Sequence, residues 1–260
     1  MFFICPVCHN QALRRPWDGI CHYCAQTLIV CPPLCSQCGQ PQSLCWPQCA
    51  RPWSNSCPQT IHSFHAVYWS SGTTHYVLRQ WKKNAGYFVT KRLLKLPEPK
   101  KSVLKNLEFD AVVPIPQELR RSWRLRRGPA TQWGQFVSRD LAIPLRPELL
   151  ELARKSDYSQ RQGERISLQE RLAGLNPKAY QAAPSVTLRK YKKLLLVDDW
   201  MTSGRTIKAA AQCLMTAQRD LEIHVLSLGY RPKNVSIAQQ PAAQLPHQTH
   251  PSIPQAAIGK

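Results

Sequence analysis

The sequence predicts an α/β protein with a mainly parallel sheet and a small cysteine-rich module at its amino end. Three observations carry that prediction. From residue 64 to residue 231, short apolar runs alternate with stretches of helical period, the pattern of strands joined by crossover helices. The run LLLVDD at 194–199 ends in two acids and is followed by TSGRTI, so a buried strand turns into a helix that opens near Gly204. Ten of the eleven cysteines fall before residue 58, in pairs spaced like metal knuckles.

At 260 residues, 43% of them hydrophobic, the chain has room for one substantial domain and a small appendage. We expect a zinc-binding module over 1–60, an α/β domain over 61–231 and a disordered tail over 232–260. The tail is mostly Gln, Pro, Ala and His with two charged residues, too little to build a core. No apolar run approaches the ~18 residues that span a membrane. The start, MFFICPVC, has neither a basic n-region nor a full apolar segment. A cytoplasmic protein is the expectation.

The first 60 residues are rich in Cys, Pro and Trp and poor in periodic apolar pattern, so a metal or crosslink has to hold them. CPVC and CHYC give Cys5-x2-Cys8-x12-Cys21-x2-Cys24. Two such knuckles converge four thiolates on one tetrahedral structural Zn²⁺. A looser array, Cys35, Cys38, Cys45 and Cys49, offers a second metal site. Cys31 and Cys57 remain as alternative ligands or small hydrophobes. His9, His22 and His62 read as surface residues, and Cys213 in AAAQCLM reads as core.

The remaining elements follow in order. FHAVYWSS (64–71) reads as a strand. THYVLRQWKKNAGYFVTKRLLK (74–95) reads as a basic helix with Gly86 as its weak point. FDAVVPIP (109–116) is a short buried strand stopped by Pro114 and Pro116. PATQWGQFVSRDLA (129–142) is a helix, with Trp133 and Val137 spaced i, i+4 on one face. KKLLLVDD (192–199) and EIHVLSLGY (222–230) are strands flanking the helix that begins near Ser203.

The acid-rich strand end is a place to hold a phosphorylated sugar. Amides at a helix N-terminus and the helix dipole favour the phosphate. Gly204 permits close backbone approach. Thr202, Ser203 and Thr206 offer hydroxyls, while backbone amides from Thr202 through Arg205 to Thr206 can wrap a 5′-phosphate. Asp198 and Asp199 would face ribose hydroxyls or Mg²⁺. Trp200 is a bulky occupant at the entrance.

Charge points to a polyanionic partner. The chain has 35 Lys+Arg against 15 Asp+Glu, a net +20, and residues 79–127 alone hold 14 basic and 4 acidic residues. Lys82, Lys83, Lys91 and Arg92 lie among Trp81 and Tyr87, as in surfaces that track and stack single-stranded DNA. Trp81 shares a helical stripe with Val77 and Leu78, which argues for core. Arg120, Arg121, Arg124, Arg126 and Arg127 suit pyrophosphate or a nucleic-acid backbone. A solvated basic surface is the alternative for both clusters. Gln160, Arg161, Gln162 and Arg165 fit an active-site loop or a polar surface turn.

Four apolar residues, two acids, two spacers and Thr-Ser-Gly-x-Thr resemble the phosphoribosyl pyrophosphate (PRPP) signature of type I phosphoribosyltransferases. With the cysteine pairs, the basic helix, FDAVVPIP, the arginine-rich loop and QRQGERISLQER, the chain resembles the ComF family (ComFC or GntX-like), associated with DNA uptake and use in bacteria. Family members usually continue the Arg-Gly pair with Phe-Asn-Gln, where this chain reads RGPATQ. The resemblance covers about residues 5–231. It implies a type I phosphoribosyltransferase-like sheet, PRPP bound at Asp198, Asp199 and 202–206 with Mg²⁺, and structural zinc. It further implies single-stranded DNA and DNA-uptake proteins as partners in natural transformation. An active phosphoribosyltransferase of nucleotide metabolism or salvage is the alternative, and no general base stands out for it. A zinc-dependent protein adaptor is a third reading.

Overall fold

The structure is a computed structural model, and its described residues are 2–5, 11–13, 20–35, 41–42, 61–84, 91–117, 128–153, 179–202 and 204–231. An antiparallel pair, β1 (Phe2–Ile4) and β2 (Gln11–Leu13), opens the chain and is followed by the short helix α1 (His22–Gln26). Then come β3 (Ser63–Trp69), α2 (Gly72–Asn84), α3 (Lys91–Leu94) and α4 (Glu98–Lys105). β4 (Ala111–Pro114) and α5 (Pro129–Leu141) lead to a small antiparallel pair, β5 (Leu150–Leu152) and β6 (Tyr180–Ala182). The short helix α6 (Ser185–Leu188) precedes β7 (Lys193–Met201), α7 (Arg205–Ala217) and β8 (Glu222–Tyr230).

The expected α/β architecture is present. Four strands form one parallel sheet in the order β3-β8-β7-β4. β7 is central, which is why its residues 194–197 are an unbroken apolar run rather than an alternation. Its side chains divide between two cores. Leu194 and Leu196 pack with Ile207, Ala210, Ala211 and Leu214 of α7, whereas Leu195 and Val197 pack with Val77, Leu78 and Trp81 of α2 and Trp133 and Val137 of α5. Helices therefore cover both faces.

Both sheet edges are also closed. Residues 29–31 run antiparallel along β3, with Cys31 N–H donating to Val67 O at 2.8 Å and Trp69 N–H donating to Ile29 O at 2.8 Å. At the other edge, Val112 N–H donates to Pro144 O and Arg146 N–H donates to Val112 O, each at 2.9 Å. Closure of this kind removes a template for strand addition. It also ties the amino-terminal segment to the sheet: Cys5, Ile20, Cys21 and Cys24 belong to the same buried cluster as Val67, Tyr68, Val77, Leu78 and Trp81.

The basic stretch 74–95 contributes α2 and α3, and residues 85–90 with Gly86 lie outside the described residues. So does 232–260, the segment expected to be disordered. Trp81 is core, as its stripe predicts, and α4 and the β5–β6 pair are additions to the sequence reading.

Candidate functional site

All four parallel strands point their carboxyl ends the same way, so β7 delivers its two acids to the rim where ligands of open α/β sheets bind. Register fixes their neighbours. Pro114 pairs with Val197, and Ile115 N–H donates to Val197 O at 2.9 Å, so the chain leaving β4 passes beside the acids. Gln117 Nε2 then donates to Asp199 Oδ1 at 3.0 Å. On the other side, Asp198 pairs with Ser227 and Trp200 with Gly229 of β8.

Asp198 and Asp199 are 5% and 2% exposed, and a carboxylate so buried needs compensation. For Asp199 it comes from Gln117 and from Lys82, whose Nζ stands 3.0 Å from Oδ2. That contact is a charge pair without hydrogen-bond alignment on Oδ2. Asp199 N–H donates to Asp198 Oδ1 at 2.9 Å. Burial first, then the charge of Asp199, pushes the Asp198 carboxyl well above the usual carboxylate range; Lys82 only partly offsets this. Burial and the same acid push the Tyr180 phenol up to about 12.

Lys82 reaches the acids because α2 is pinned. Val77, Leu78 and Trp81 are buried, and Lys82 follows at the rim with its side chain 48% exposed. At Gly229 a Cβ would stand 2.7 Å from Leu78 Cδ1, so a glycine lets β8 and α2 come this close. The entrance carries Trp200, whose ring meets His75 edge-on at 5.0 Å; Ser70 Oγ lies 3.1 Å from His75 Nδ1.

The helix that follows is entered through Gly204 in the left-handed region, φ 65°. No side chain caps α7 there, and Lys208 N–H donates to Gly204 O at 2.9 Å. The first amides of the helix, at Arg205 and Thr206, precede that bond and retain the polarity of a helix N-terminus. Thr202 is exposed and Thr206 partly buried, while Ser203 and the side chain of Arg205 lie outside the described residues.

A second cluster has metal-binding geometry. Cys5, Cys21 and Cys24 are buried, and their sulfurs lie within 4.8 Å of one another. Cys5 Sγ and Cys24 Sγ are 3.8 Å apart, too far for a disulfide. Cys21 N–H points to Cys5 Sγ and Cys24 N–H to Cys21 Sγ, each at 3.4 Å, a turn that suits thiolate sulfur. This donor set can hold a metal such as zinc. The fourth expected ligand, Cys8, lies outside the described residues, as do Cys38, Cys45 and Cys49 of the second array; Cys35 is partly buried. Cys31 is a core residue, its thiol pushed up to about 12 by burial.

Arg120, Arg121, Arg124, Arg126, Arg127, Gln160, Arg161, Gln162 and Arg165 all lie outside the described residues. The same holds for the side chains of Lys83, Lys91 and Arg92, whose backbones belong to α2 and α3. Lys82, grouped with them by charge, sits on the acid pair.

One partner of that pair, Gln117, escapes sequence reading. At the opposite, amino end of the sheet a polar chain also emerges. His224 Nε2 meets Glu222 Oε1 at 2.7 Å, His224 Nδ1 meets Ser63 Oγ at 2.6 Å, and Ser63 Oγ meets His65 Nε2 at 2.7 Å. No helix among the described residues is long and apolar enough to cross a membrane. No protein-family model matches the chain, and no curated protein matches it.

Proposed function

We propose that the carboxyl end of the sheet binds a phosphoribosyl ligand, with PRPP as the reference compound, in a ComF-like protein that assists DNA uptake and single-stranded DNA handling in natural transformation. The observation that carries the ligand reading is the buried Asp198–Asp199 pair near the end of a central parallel strand, its second acid five positions before an uncapped helix entry at Gly204. Two acids at that position suit the ribose 2′ and 3′ hydroxyls, and the amides of 204–206 suit the 5′-phosphate. A type I phosphoribosyltransferase-like fold is in keeping with the parallel sheet order and with the strand–loop–helix sequence.

The DNA role draws its support from the net charge of +20 and its concentration over 79–127. Structural zinc in the cysteine cluster is in keeping with three thiols in ligand range. Calorimetry with PRPP, with and without Mg²⁺, beside single-stranded DNA binding on the same sample, tests both halves. PRPP binding lost in Asp198→Ala and Asp199→Ala supports the site; unchanged affinity in both folded variants rejects it. Pyrophosphate release with candidate acceptors decides separately whether the protein is an active phosphoribosyltransferase.

A further inference from the structure

The acid pair does not fit a directly coordinated Mg²⁺. Such an ion takes carboxylate oxygens whose lone pairs are open to it. Here Asp199 Oδ1 accepts from the Gln117 amide, Asp198 Oδ1 accepts from the Asp199 backbone N–H, and the buried Asp199 Oδ2 faces an ammonium at 3.0 Å, which an ion would have to displace. Burial also favours the protonated form of Asp198. Among the described residues, the metal-ready group of three donors is Cys5, Cys21 and Cys24, and neither acid belongs to it.

We infer that Lys82 is the resident cation of the Asp198–Asp199 pair, and that the cluster therefore receives a ribose phosphate without a divalent ion bound directly to its carboxylates. The inference rests on the phosphoribosyl reading and names the residue that tunes it. Burial shifts Asp198 toward its protonated form, and Lys82 offsets the charge of Asp199, so the buried cluster approaches neutrality. Neutrality matters because an uncompensated carboxylate at 2% exposure is costly. The cluster still has recognition capacity. Asp199 Oδ2 is buried against the Lys82 ammonium, which carries the cluster's accessible donors. The Lys82 ammonium is half exposed and has three donors, so it can serve Asp199 and an anionic ligand oxygen together. Any Mg²⁺ dependence of PRPP binding then belongs to the pyrophosphate of the ligand.

The test uses the full-length protein with two probes, ribose 5-phosphate by calorimetry and free Mn²⁺ by electron paramagnetic resonance. Buffers are depleted of divalent ions by resin, which leaves thiolate-bound metal in place. Wild-type protein should bind ribose 5-phosphate equally with and without Mg²⁺, and should show no Mn²⁺ site that Asp199→Asn removes. Lys82→Met should lose about tenfold or more in metal-free affinity. It should regain that affinity with Mg²⁺ and acquire a Mn²⁺ site abolished by adding Asp199→Asn. Lys82→Arg, which keeps the charge, should behave like wild type and guards against a folding artefact in Lys82→Met. A Mn²⁺ site in wild type that depends on Asp199, or ribose 5-phosphate binding that vanishes without Mg²⁺, overturns the inference. If wild type binds neither ribose 5-phosphate nor PRPP under any condition, the phosphoribosyl reading falls. Mn²⁺ uptake gained on loss of Lys82 would still support the resident-cation role.

Discussion

Gly229 and Leu78 meet where β8 passes under α2, and a Cβ added at Gly229 would stand 2.7 Å from Leu78 Cδ1. Because Leu78 is fully buried, its side chain has little room to yield. Gly229→Ala should therefore displace α2 and, four residues beyond Leu78, the Lys82 ammonium. We expect about 1–3 kcal/mol of destabilisation in denaturant unfolding and weaker ribose 5-phosphate binding in the folded fraction. Wild-type stability with wild-type affinity would show that the close approach does not position Lys82.

Gly204 makes a different demand, that of its backbone. Its φ of 65° lies where an L side chain costs about 1–2 kcal/mol. Gly72, at φ 48° with nothing within 4 Å of an added Cβ, provides a control. Both Gly204→Ala and Gly72→Ala should lower stability by similar amounts. Only Gly204→Ala should also weaken inorganic phosphate and PRPP, read by calorimetry. Equal binding losses in the two variants would mean that strain, not placement, governs the effect.

The cysteine cluster is continuous with the core under α2, so metal removal should be felt beyond the cluster. Purified protein should carry at least one equivalent of zinc by elemental analysis. Cys21→Ser and Cys24→Ser should reduce that content and lower the melting temperature, because Cys5, Cys21 and Cys24 share a buried cluster with Val77, Leu78 and Trp81. Folded, soluble protein without bound metal would refute the assignment.

How much of this was legible beforehand depended on whether the cause was local. β7 and β8 are buried on both faces, so LLLV reads as an uninterrupted apolar run and IHVLSLGY as a mostly apolar one broken by His224 and Ser227. Trp133 and Val137 mark α5 by spacing alone. α4 was not legible because EPKKSVLK buries only Leu104, and three-residue β5 and β6 pair across 27 intervening residues with no local pattern. The acids of the candidate site were legible; their partners were not. Gln117 arrives from the neighbouring strand, and the register Pro114 to Val197 is what places it. Lys82 was visible only as one positive charge in a basic block, since no sequence window shows that a lysine on α2 meets an acid 117 positions later.

The amino-end chain of His65, Ser63, His224 and Glu222 yields a pH prediction. A carboxylate accepts, so His224 Nε2 carries the proton facing Glu222 and its Nδ1 accepts from the Ser63 hydroxyl; Ser63 Oγ in turn accepts from His65 Nε2–H. Burial, reinforced by Lys100 and His224, lowers His65 from 6.5 to about 4. A lowered histidine makes its full contribution to stability above pH 6.5. As pH falls from 6.5 to 4 the unfolded chain gains the proton first, and stability drops by on the order of 3 kcal/mol at most. Burial also lowers His224, against the pull of Glu222 and with the charges of His62 and Lys193. His65→Gln, which keeps an N–H donor but cannot titrate, should flatten stability against pH between 4 and 6.5. An unchanged slope would rule out His65 as its source.

The last prediction concerns the net charge of +20. If the basic residues of 79–127 contact a DNA backbone, binding should tolerate any sequence and weaken steeply with salt. The log–log slope is about −0.7 per neutralised phosphate for single strands. Lys82 has to be separated from its group, because its ammonium serves Asp199. Replacing Lys83, Lys91 and Arg92 together with Gln should flatten the slope by roughly two units while ribose 5-phosphate affinity holds. Replacing Lys82 alone should act the opposite way, weakening the sugar phosphate with little change in the salt slope. Substituting Arg120, Arg121, Arg126 and Arg127 discriminates further. Loss of PRPP with DNA binding kept assigns the arginines to pyrophosphate, and loss of both means that the two ligands compete. A salt slope that none of these clusters alters would make the basic block a solvated surface, and the DNA role would lose its physical support.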